Sequence, residues 1–303
     1  MGKKRPRPKA PVQGLALALG LGLALGLALA PLAAGGAETP PTDYIYLSGT
    51  DHIAAAVALA RYEWTEAETV ILAPVGSAAL IDVLVAVPLA GQEKAPILLV
   101  DGTLLDYRVM TLMRDFGVRR AIIVGAVAPE IEPHLESLFP ALEIEVLRGR
   151  NRLETAARVN ARLQAPRGSF VVGYDAVPDA VSVASWAAAH GYMIQPADPD
   201  GGFSGERYTG GYIIGGPALV GDILGLERLY GPDRYATNRA VIRTLPYDYA
   251  KVYTVDGQTP VAALLASSAA CRTNSPVVLT DRTGAVEAGI LPPGAHVYAV
   301  RTR

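Results

Sequence analysis

Two arginines occupy matching places in the sequence, each in a setting where a guanidinium group could do binding chemistry. Arg152 and Arg234 both lie three residues after a glycine and three residues before a threonine. A guanidinium binds phosphate or carboxylate through two parallel hydrogen bonds. Both arginines fall in the first turn of an expected helix, where a cation is unfavourable against the helix dipole. Two explanations fit: an anion drawn by the helix N-terminus, or an ion pair with an acid of a neighbouring part of the chain.

The same opening occurs a third time near the start of the chain, with substitutions. The three openings are Ser48-Gly49-Thr50-Asp51-His52-Ile53-Ala54-Ala55, Arg148-Gly149-Arg150-Asn151-Arg152-Leu153-Glu154-Thr155 and Tyr230-Gly231-Pro232-Asp233-Arg234-Tyr235-Ala236-Thr237. Asp51, Asn151 and Asp233 stand where a helix N-cap is expected, and a preceding glycine allows the chain to turn. Capping accounts for these residues but not for the arginines.

A cluster of cations surrounds the second opening. Its members lie within twenty residues and are opposed in that stretch only by Glu154: Arg148, Arg150, Arg152, Arg158, Arg162 and Arg167. Such a cluster forms either a solvated helix face or a strip that receives an anion. The residues that we predict to bind a ligand are Arg148, Arg150, Arg152, Thr155, Arg158, Arg234 and Thr237.

The elements after each opening also repeat in the same order. Short continuous apolar runs alternate with helices, a pattern typical of strands buried on both faces of a parallel sheet and joined by helical crossovers. The strands predicted in this way are 69–73, 96–101 and 121–125 in the first copy, 169–173 and 212–216 in the second, and 251–255, 276–281 and 295–300 in the third. The helices lie at 82–90, 178–190 and 260–271. The sequence therefore predicts three small Rossmann-like α/β units with parallel sheets.

The three copies differ in completeness. The first is the fullest, and the second has the Gly- and Asp-rich stretch 198–211, predicted as a surface loop, in place of one strand and one helix. The third stops after its fourth strand and is predicted to be truncated. We place the units at 38–148, 149–230 and 231–303.

The N-terminus reads as an export signal rather than as part of the fold. Five basic residues precede the uncharged stretch 12–34, and Gly35-Gly36-Ala37 offers small residues for cleavage. The apolar stretch is also long enough to span a bilayer. Residues 1–37 are therefore either a cleaved signal peptide or a retained N-terminal anchor, and the remainder is expected outside the cytoplasmic membrane.

Composition limits the functions available. Residues 1–37 hold five basic and no acidic side chains, so 22 basic and 29 acidic side chains remain, a formal charge of −7 that argues against nucleic-acid binding. A single cysteine, Cys271, excludes an internal disulfide. The four histidines lack metal-ligand spacing, and neither a nucleophile elbow nor a phosphate-binding loop occurs. We predict no cofactor, no metal and no enzymatic activity.

The repeated motifs resemble those of the cell-wall-binding repeat type 2 family. The openings at 150–155 and 232–237 match the family's Gly-x-Asp-Arg-Tyr-x-Thr motif. The helices at 82–90 and 178–187 match its Pro-Asp-Ala-Leu helix, and the strand at 213–216 matches its Ile-Ile-Gly-Gly strand. The first copy departs at His52 and Ala55, and the third at Val261, which replaces the helix aspartate. The resemblance implies a pseudo-threefold assembly that binds an anionic wall polymer non-covalently.

We therefore expect a non-catalytic cell-wall-binding protein at the cell wall or surface. The expected partner is an anionic wall polymer, and contact with the membrane is expected only through an uncleaved anchor. Two other functions remain open: an extracytoplasmic α/β solute-binding protein or small-molecule enzyme, and a structural subunit of a cell-envelope assembly. The solute-binding or enzyme function predicts one deep pocket with converging polar groups and shifted pKa values.

Overall fold

The computed structural model describes residues 42–47, 51–76, 80–200, 202 and 210–302. The strands are β1 (Thr42–Leu47), β2 (Thr69–Pro74), β3 (Ile97–Val100), β4 (Arg120–Val124), β5 (Glu143–Leu147), β6 (Gly168–Gly173), β7 (Tyr192–Ala197), β8 (Gly211–Ile214), β9 (Glu227–Leu229), β10 (Val252–Asp256), β11 (Val277–Thr280) and β12 (Val297–Thr302). The helices are α1 (His52–Glu63), α2 (Leu80–Val85), α3 (Val87–Glu93), α4 (Tyr107–Phe116), α5 (Ile131–Leu138), α6 (Arg152–Asn160), α7 (Val177–His190), α8 (Arg234–Thr244) and α9 (Pro260–Ala270).

The described strands form three parallel sheets of four strands each. Their orders are β3-β2-β4-β5, β7-β6-β8-β9 and β11-β10-β12-β1. The three orders are equivalent. The first strand after each opening helix (β2, β6 or β10) lies second in its sheet, and the strand that leads into an opening (β5, β9 or β1) lies at the edge. The predicted architecture of three α/β units in a pseudo-threefold arrangement is confirmed.

The third sheet is completed by the strand that precedes the first unit. β1 pairs in parallel with β12, from Thr42 opposite Val297 to Leu47 opposite Thr302. The third unit is short, as predicted, and supplies three strands. Its sheet nevertheless has four, because β1 occupies the place that β5 and β9 occupy in the other two sheets.

The second unit contains a strand, β7, where the sequence predicts that one strand and one helix are replaced with a loop. β7 runs parallel to β6 along its whole length, from Gly168 opposite Tyr192 to Gly173 opposite Ala197. The polar Gln195 and the following proline interrupt the apolar run and conceal the strand. A proline is tolerated there because β7 lies at the sheet edge. Residues 201 and 203–209 of the predicted loop lie outside the described residues.

Four apolar helices, which we call the central helices, lie between the sheets: α2, α3, α7 and α9. They contact one another, and all of α2 and nearly all of α9 are buried. The predicted helix 82–90 is in fact two helices, because the chain breaks at Ala86 before Pro88 in the first turn of α3. The predicted helices at 178–190 and 260–271 are confirmed, with small differences at their ends.

The opening helices connect each unit to the one before it. α6 packs on α2, α8 packs on α7 and α1 packs on α9, so the same contact is made at each of the three junctions between units. At the same time α1, α6 and α8 lie against β3, β7 and β11 of the units that they open. Each opening helix therefore belongs to one unit and holds the central helix of another.

Residues 1–37, where an export signal is predicted, lie outside the described residues. The chain divides into Met1–Glu38 and Thr39–Arg303, and the three sheets belong to the second part. None of the helices in the described part of the chain combines the length and the apolar character that a membrane span requires.

Deletion of residues 1–47 should destabilise the fold, because it removes β1 and leaves the edge of β12 unpaired. Loss of several ladder hydrogen bonds at about 1 kcal/mol each should lower the unfolding midpoint by on the order of 10 °C, at about 2–4 °C per kcal/mol. The exposed edge should also promote association. Thermal unfolding and size-exclusion chromatography measure both effects. Deletion of residues 1–38, which keeps β1, is the control, and equal midpoints for the two deletions would contradict this account.

Candidate functional site

The repeated opening acts first as a helix cap. The Asp51 carboxylate accepts hydrogen bonds from the backbone of Ile53 and Ala54 at 3.1 and 3.0 Å. Asn151 and Asp233 do the same at the starts of α6 and α8, at 2.9 and 2.8 Å. The capping role predicted for all three residues is confirmed. The Asp51 carboxylate also pairs with Arg108 from α4, and the bond from Arg108 holds the pKa of Asp51 below its usual range.

The two threonines of the predicted site are buried under the openings. The Thr155 hydroxyl accepts a hydrogen bond from the Gly149 N–H at 3.0 Å, and Thr237 bonds Gly231 at the same distance. A side chain at either glycine would collide with the first turn of the helix. These hydroxyls therefore fix the turn from strand to helix, and a contact with a ligand stays a prediction.

Arg152 is enclosed at the junction between the first and second units. It donates a hydrogen bond to the Tyr174 carbonyl at 2.6 Å, pairs with the Asp175 carboxylate, and lies with its guanidinium carbon 4.4 Å from the centre of the Tyr174 ring. Its Nε is 3.9 Å from Asp82 Oδ1 on α2 of the preceding unit. Only 12% of the side chain is exposed. Arg152 is therefore paired directly with Asp175 of its own unit and at longer range with Asp82 of the preceding unit.

Arg234 has the equivalent position between the second and third units but is open to solvent. It donates one hydrogen bond to the Gly257 carbonyl at 2.9 Å. Asp179 of α7 lies close enough for the arginine to influence its pKa. A guanidinium has five N–H donors, and none of the ion pairs found among the described residues includes Arg234. A contact between Arg234 and a ligand stays a prediction.

At each of these two junctions, the preceding unit contributes a buried aspartate from its central helix: Asp82 from α2 and Asp179 from α7. Burial raises the pKa of Asp82 to about 6 against the opposing effect of Arg152. Burial likewise raises the pKa of Asp179 to about 7, opposed by Arg234. Asp82 Oδ1 accepts no hydrogen bond, since 3.9 Å from the arginine is beyond hydrogen-bond length. A side chain on Gly215 would collide with Asp179, so the glycine after β8 makes room for that carboxylate.

The remaining arginines of the cluster have varied environments. Arg148 donates to the carbonyls of Gly125 and Val127 at 2.9 and 2.5 Å. Arg150 is 88% exposed and pairs with Glu154, which lowers the pKa of that carboxyl to about 2. Arg162 pairs with Glu145, and Arg158 and Arg167 are exposed. The cluster is therefore divided between backbone contacts, ion pairs and open surface.

A cleft of about 410 Å³ lies where the second unit meets the third opening. Its walls come from the turn after β6, the start of α7, Gly216 and Leu219 beyond β8, and the start of α8. The charged groups that line it are Asp175, Asp179, Asp233 and Arg234. Asp175 is paired with Arg152, and Asp179 has a pKa near neutrality. The cleft thus combines one cation with three carboxyl groups that can accept hydrogen bonds.

Among the described residues, no three His, Cys, Asp or Glu side chains are grouped as metal ligands.

Comparison with known proteins identifies the family. The family described as Cell wall binding domain 2 (CWB2) matches residues 47–128, 147–223 and 228–300. The structure resembles Cwp8 from Clostridium difficile with a TM-score of 0.71 and 26% identity, over 86% of this chain and 49% of that one. It resembles Cwp6 from the same organism with a TM-score of 0.71 and 18% identity, over 86% and 46%.

Two Bacillus subtilis (strain 168) proteins are related in sequence. The chain is 24% identical to the N-acetylmuramoyl-L-alanine amidase LytC, over 78% of this chain and 50% of that protein. It is 25% identical to the protein named Amidase enhancer, over 78% and 34%. The chain therefore spans half or less of the length of these relatives.

Asp179→Asn should stabilise the protein increasingly as pH rises from about 4 to 7. The fold raises the pKa of Asp179 to about 7 from an unfolded value of about 3.9. The stability present when the carboxyl is protonated is therefore lost as pH rises through this window, by up to a few kcal/mol at about 1.4 kcal/mol per pKa unit. Asparagine has no charge to bury. Denaturant unfolding of both proteins across this range measures the difference.

Asp82→Asn provides the matched comparison. The gain in stability of this variant over the wild-type protein should stop growing near pH 6, because the pKa of Asp82 is raised to about 6. A stability difference that stays constant with pH for both variants would contradict the assignment of these two buried carboxylates.

Proposed function

Because this chain belongs to the Cell wall binding domain 2 (CWB2) family, we propose that it is a non-catalytic module that attaches its polypeptide non-covalently to an anionic polymer of the cell wall. Proteins of this family are associated with the cell wall or cell surface, and this chain is likewise a wall or surface protein. Three consecutive matches to a wall-binding domain support attachment. The anionic character of the polymer and the lack of catalysis are the finer parts of the proposal.

The cleft between the second and third units is the proposed attachment site. Arg234 is the observation that carries this choice, because its guanidinium is exposed at a cleft wall and donates one hydrogen bond, to the Gly257 carbonyl. Its remaining donors can bind a phosphate or carboxylate in the two-point manner. The Asp233 carboxylate faces the same cleft and can accept hydrogen bonds from sugar hydroxyls.

The other predicted ligand-binding residues take different parts in this proposal. Arg158 is exposed on α6 and can supply a secondary electrostatic contact. Arg152 positions Asp175, which lines the cleft, and so acts through another residue. Arg148, Thr155 and Thr237 hold the openings in place, and Arg150 is paired with Glu154 at the surface; a ligand contact by these four remains part of the prediction.

A small-molecule enzyme or solute-binding protein is the second candidate, and one observation favours it. The pKa of Asp179 is raised to about 7 beside a cleft, as expected of an acid–base group. Asp82 has a raised pKa with the same cause at the equivalent place in another junction. The shift therefore follows from the repeated architecture, which supports the binding module over the enzyme. Amidase activity belongs to the relative so named, of which this chain spans half.

Cosedimentation with isolated cell walls tests the proposal. Arg234→Gln should weaken wall binding by about tenfold or more, because a hydrogen bond to a charged group contributes about 1.5–3 kcal/mol. Binding should fall with rising salt and after acid extraction of the anionic polymers from the walls. Arg243→Gln, which removes an exposed arginine of the same helix that pairs with Glu287, is the matched control.

Wall binding that survives extraction of the anionic polymers would contradict the anionic partner. Equal binding by Arg234→Gln and Arg243→Gln would remove the cleft as the attachment site. Saturable turnover or binding of a small metabolite with no wall affinity would favour the second candidate instead.

A further inference from the structure

A second, smaller cleft opens where the central helices of all three units begin. Its volume is about 290 Å³, near the lower end of the roughly 300–1,000 Å³ range of small-molecule pockets. Its apolar lining comes from α2, α7, α9 and β11: Leu80, Val177, Val181, Pro260, Ala263 and Leu279. The polar side chains of the same lining are Asp175, Arg234 and Gln258, so the aliphatic part of the cleft favours a small apolar group.

The two clefts meet at common residues. Arg234, Asp175 and Pro178 line both the polar cleft and the aliphatic one. The guanidinium of Arg234 is fixed at this boundary by its hydrogen bond to the Gly257 carbonyl, and Gly257 is itself part of the smaller cleft. A single ligand can therefore place a charged group at Arg234 and an apolar substituent in the adjacent pocket.

We propose that the unit recognised in the wall polymer is an acidic sugar that carries a small acyl substituent such as N-acetyl. This inference rests on the proposed function and adds the substituent to it. The anionic group binds Arg234, hydroxyl groups of the sugar donate to the Asp175 and Asp233 carboxylates, and the acyl methyl group enters the aliphatic pocket. A free amine in place of the acyl group is disfavoured, because it would place an ammonium among aliphatic side chains and close to Arg234, while the Asp175 carboxylate of the same lining is already paired with Arg152.

Four small sugars separate the charge from the acyl group. N-acetylglucosamine 1-phosphate carries both, glucose 1-phosphate carries the charge alone, N-acetylglucosamine carries the acyl group alone, and glucosamine 1-phosphate carries an ammonium in the acyl position. Titration of each into the full chain, followed by methyl NMR shifts, measures their affinities. We expect N-acetylglucosamine 1-phosphate to bind about tenfold more tightly than glucose 1-phosphate, and both to bind more tightly than glucosamine 1-phosphate.

Two variants test the location of the acyl pocket. Ala263→Leu fills it from α9, and Val177→Phe fills it from the half-buried start of α7, a milder change if the first variant fails to fold. Either variant should abolish the preference for the acetylated sugar and leave the affinity for glucose 1-phosphate unchanged. Arg234→Gln should instead weaken the binding of both N-acetylglucosamine 1-phosphate and glucose 1-phosphate. The weak binding of N-acetylglucosamine should be unchanged.

The possible failures are distinguishable. Equal affinity for the acetylated and unacetylated phosphates, a preference that survives in both filled variants, or no NMR shift with any of the four sugars would overturn the acyl-sugar inference. Retained cosedimentation with walls in any of these cases leaves the proposed attachment function intact. Absence of cosedimentation with walls together with the expected sugar preference would overturn the attachment function, and would leave the preference of the cleft for an acylated acidic sugar without the wall polymer as its source.

Discussion

The close packing of the central helices is the constraint on which the rest of the structure depends. One apolar core includes residues from all three units, among them Leu84, Val183 and Leu265. The helices approach so closely that a Cβ atom on Gly91 would lie 2.8 Å from the Cβ of Ala188. Alanine and serine dominate α7 and α9 for the same reason, since small side chains let helices come near each other.

This packing fixes where the functional groups can lie. The starts of α2, α7 and α9 are brought together, so that the residues around them line common clefts. Each unit then adds its opening helix to the central helix of the unit before it. The clefts are consequently features of the assembly, and a single unit in isolation would lack at least one wall of each.

The sequence predicts the buried part of the sheets well and the edges poorly. Strands such as β2, β4 and β10 are enclosed on both faces and read as continuous apolar runs. The strand that leads into each opening, β1, β5 or β9, was not identified. β5 and β9 are largely half-exposed, and charged residues alternate with apolar ones along β5. Such segments have no strong pattern, and their place is determined by tertiary pairing with an inner strand.

The surroundings of the arginines could not be derived from one repeat alone, because each arginine lies near the aspartate of the preceding unit: Arg152 Nε is 3.9 Å from Asp82, and Arg234 lowers the pKa of Asp179 against the effect of burial. A signal for this was nevertheless present. His52 replaces the arginine of the first opening, and Val261 replaces the aspartate of the third central helix. In the fold, α1 packs on α9, so both departures fall at the same junction. This junction therefore lacks both the arginine and the aspartate that the other two junctions have.

The parallel pairing of β1 with β12 has a mechanical consequence. The first residue of β1 lies level with Val297, and the last lies level with Thr302, at the carboxyl ends of the strands where the clefts also open. If the chain before Thr42 is held and the polymer is pulled from a cleft, tension runs along the axis of β1. The backbone hydrogen bonds of that strand then share the load in shear instead of opening one after another, a geometry that resists detachment under force.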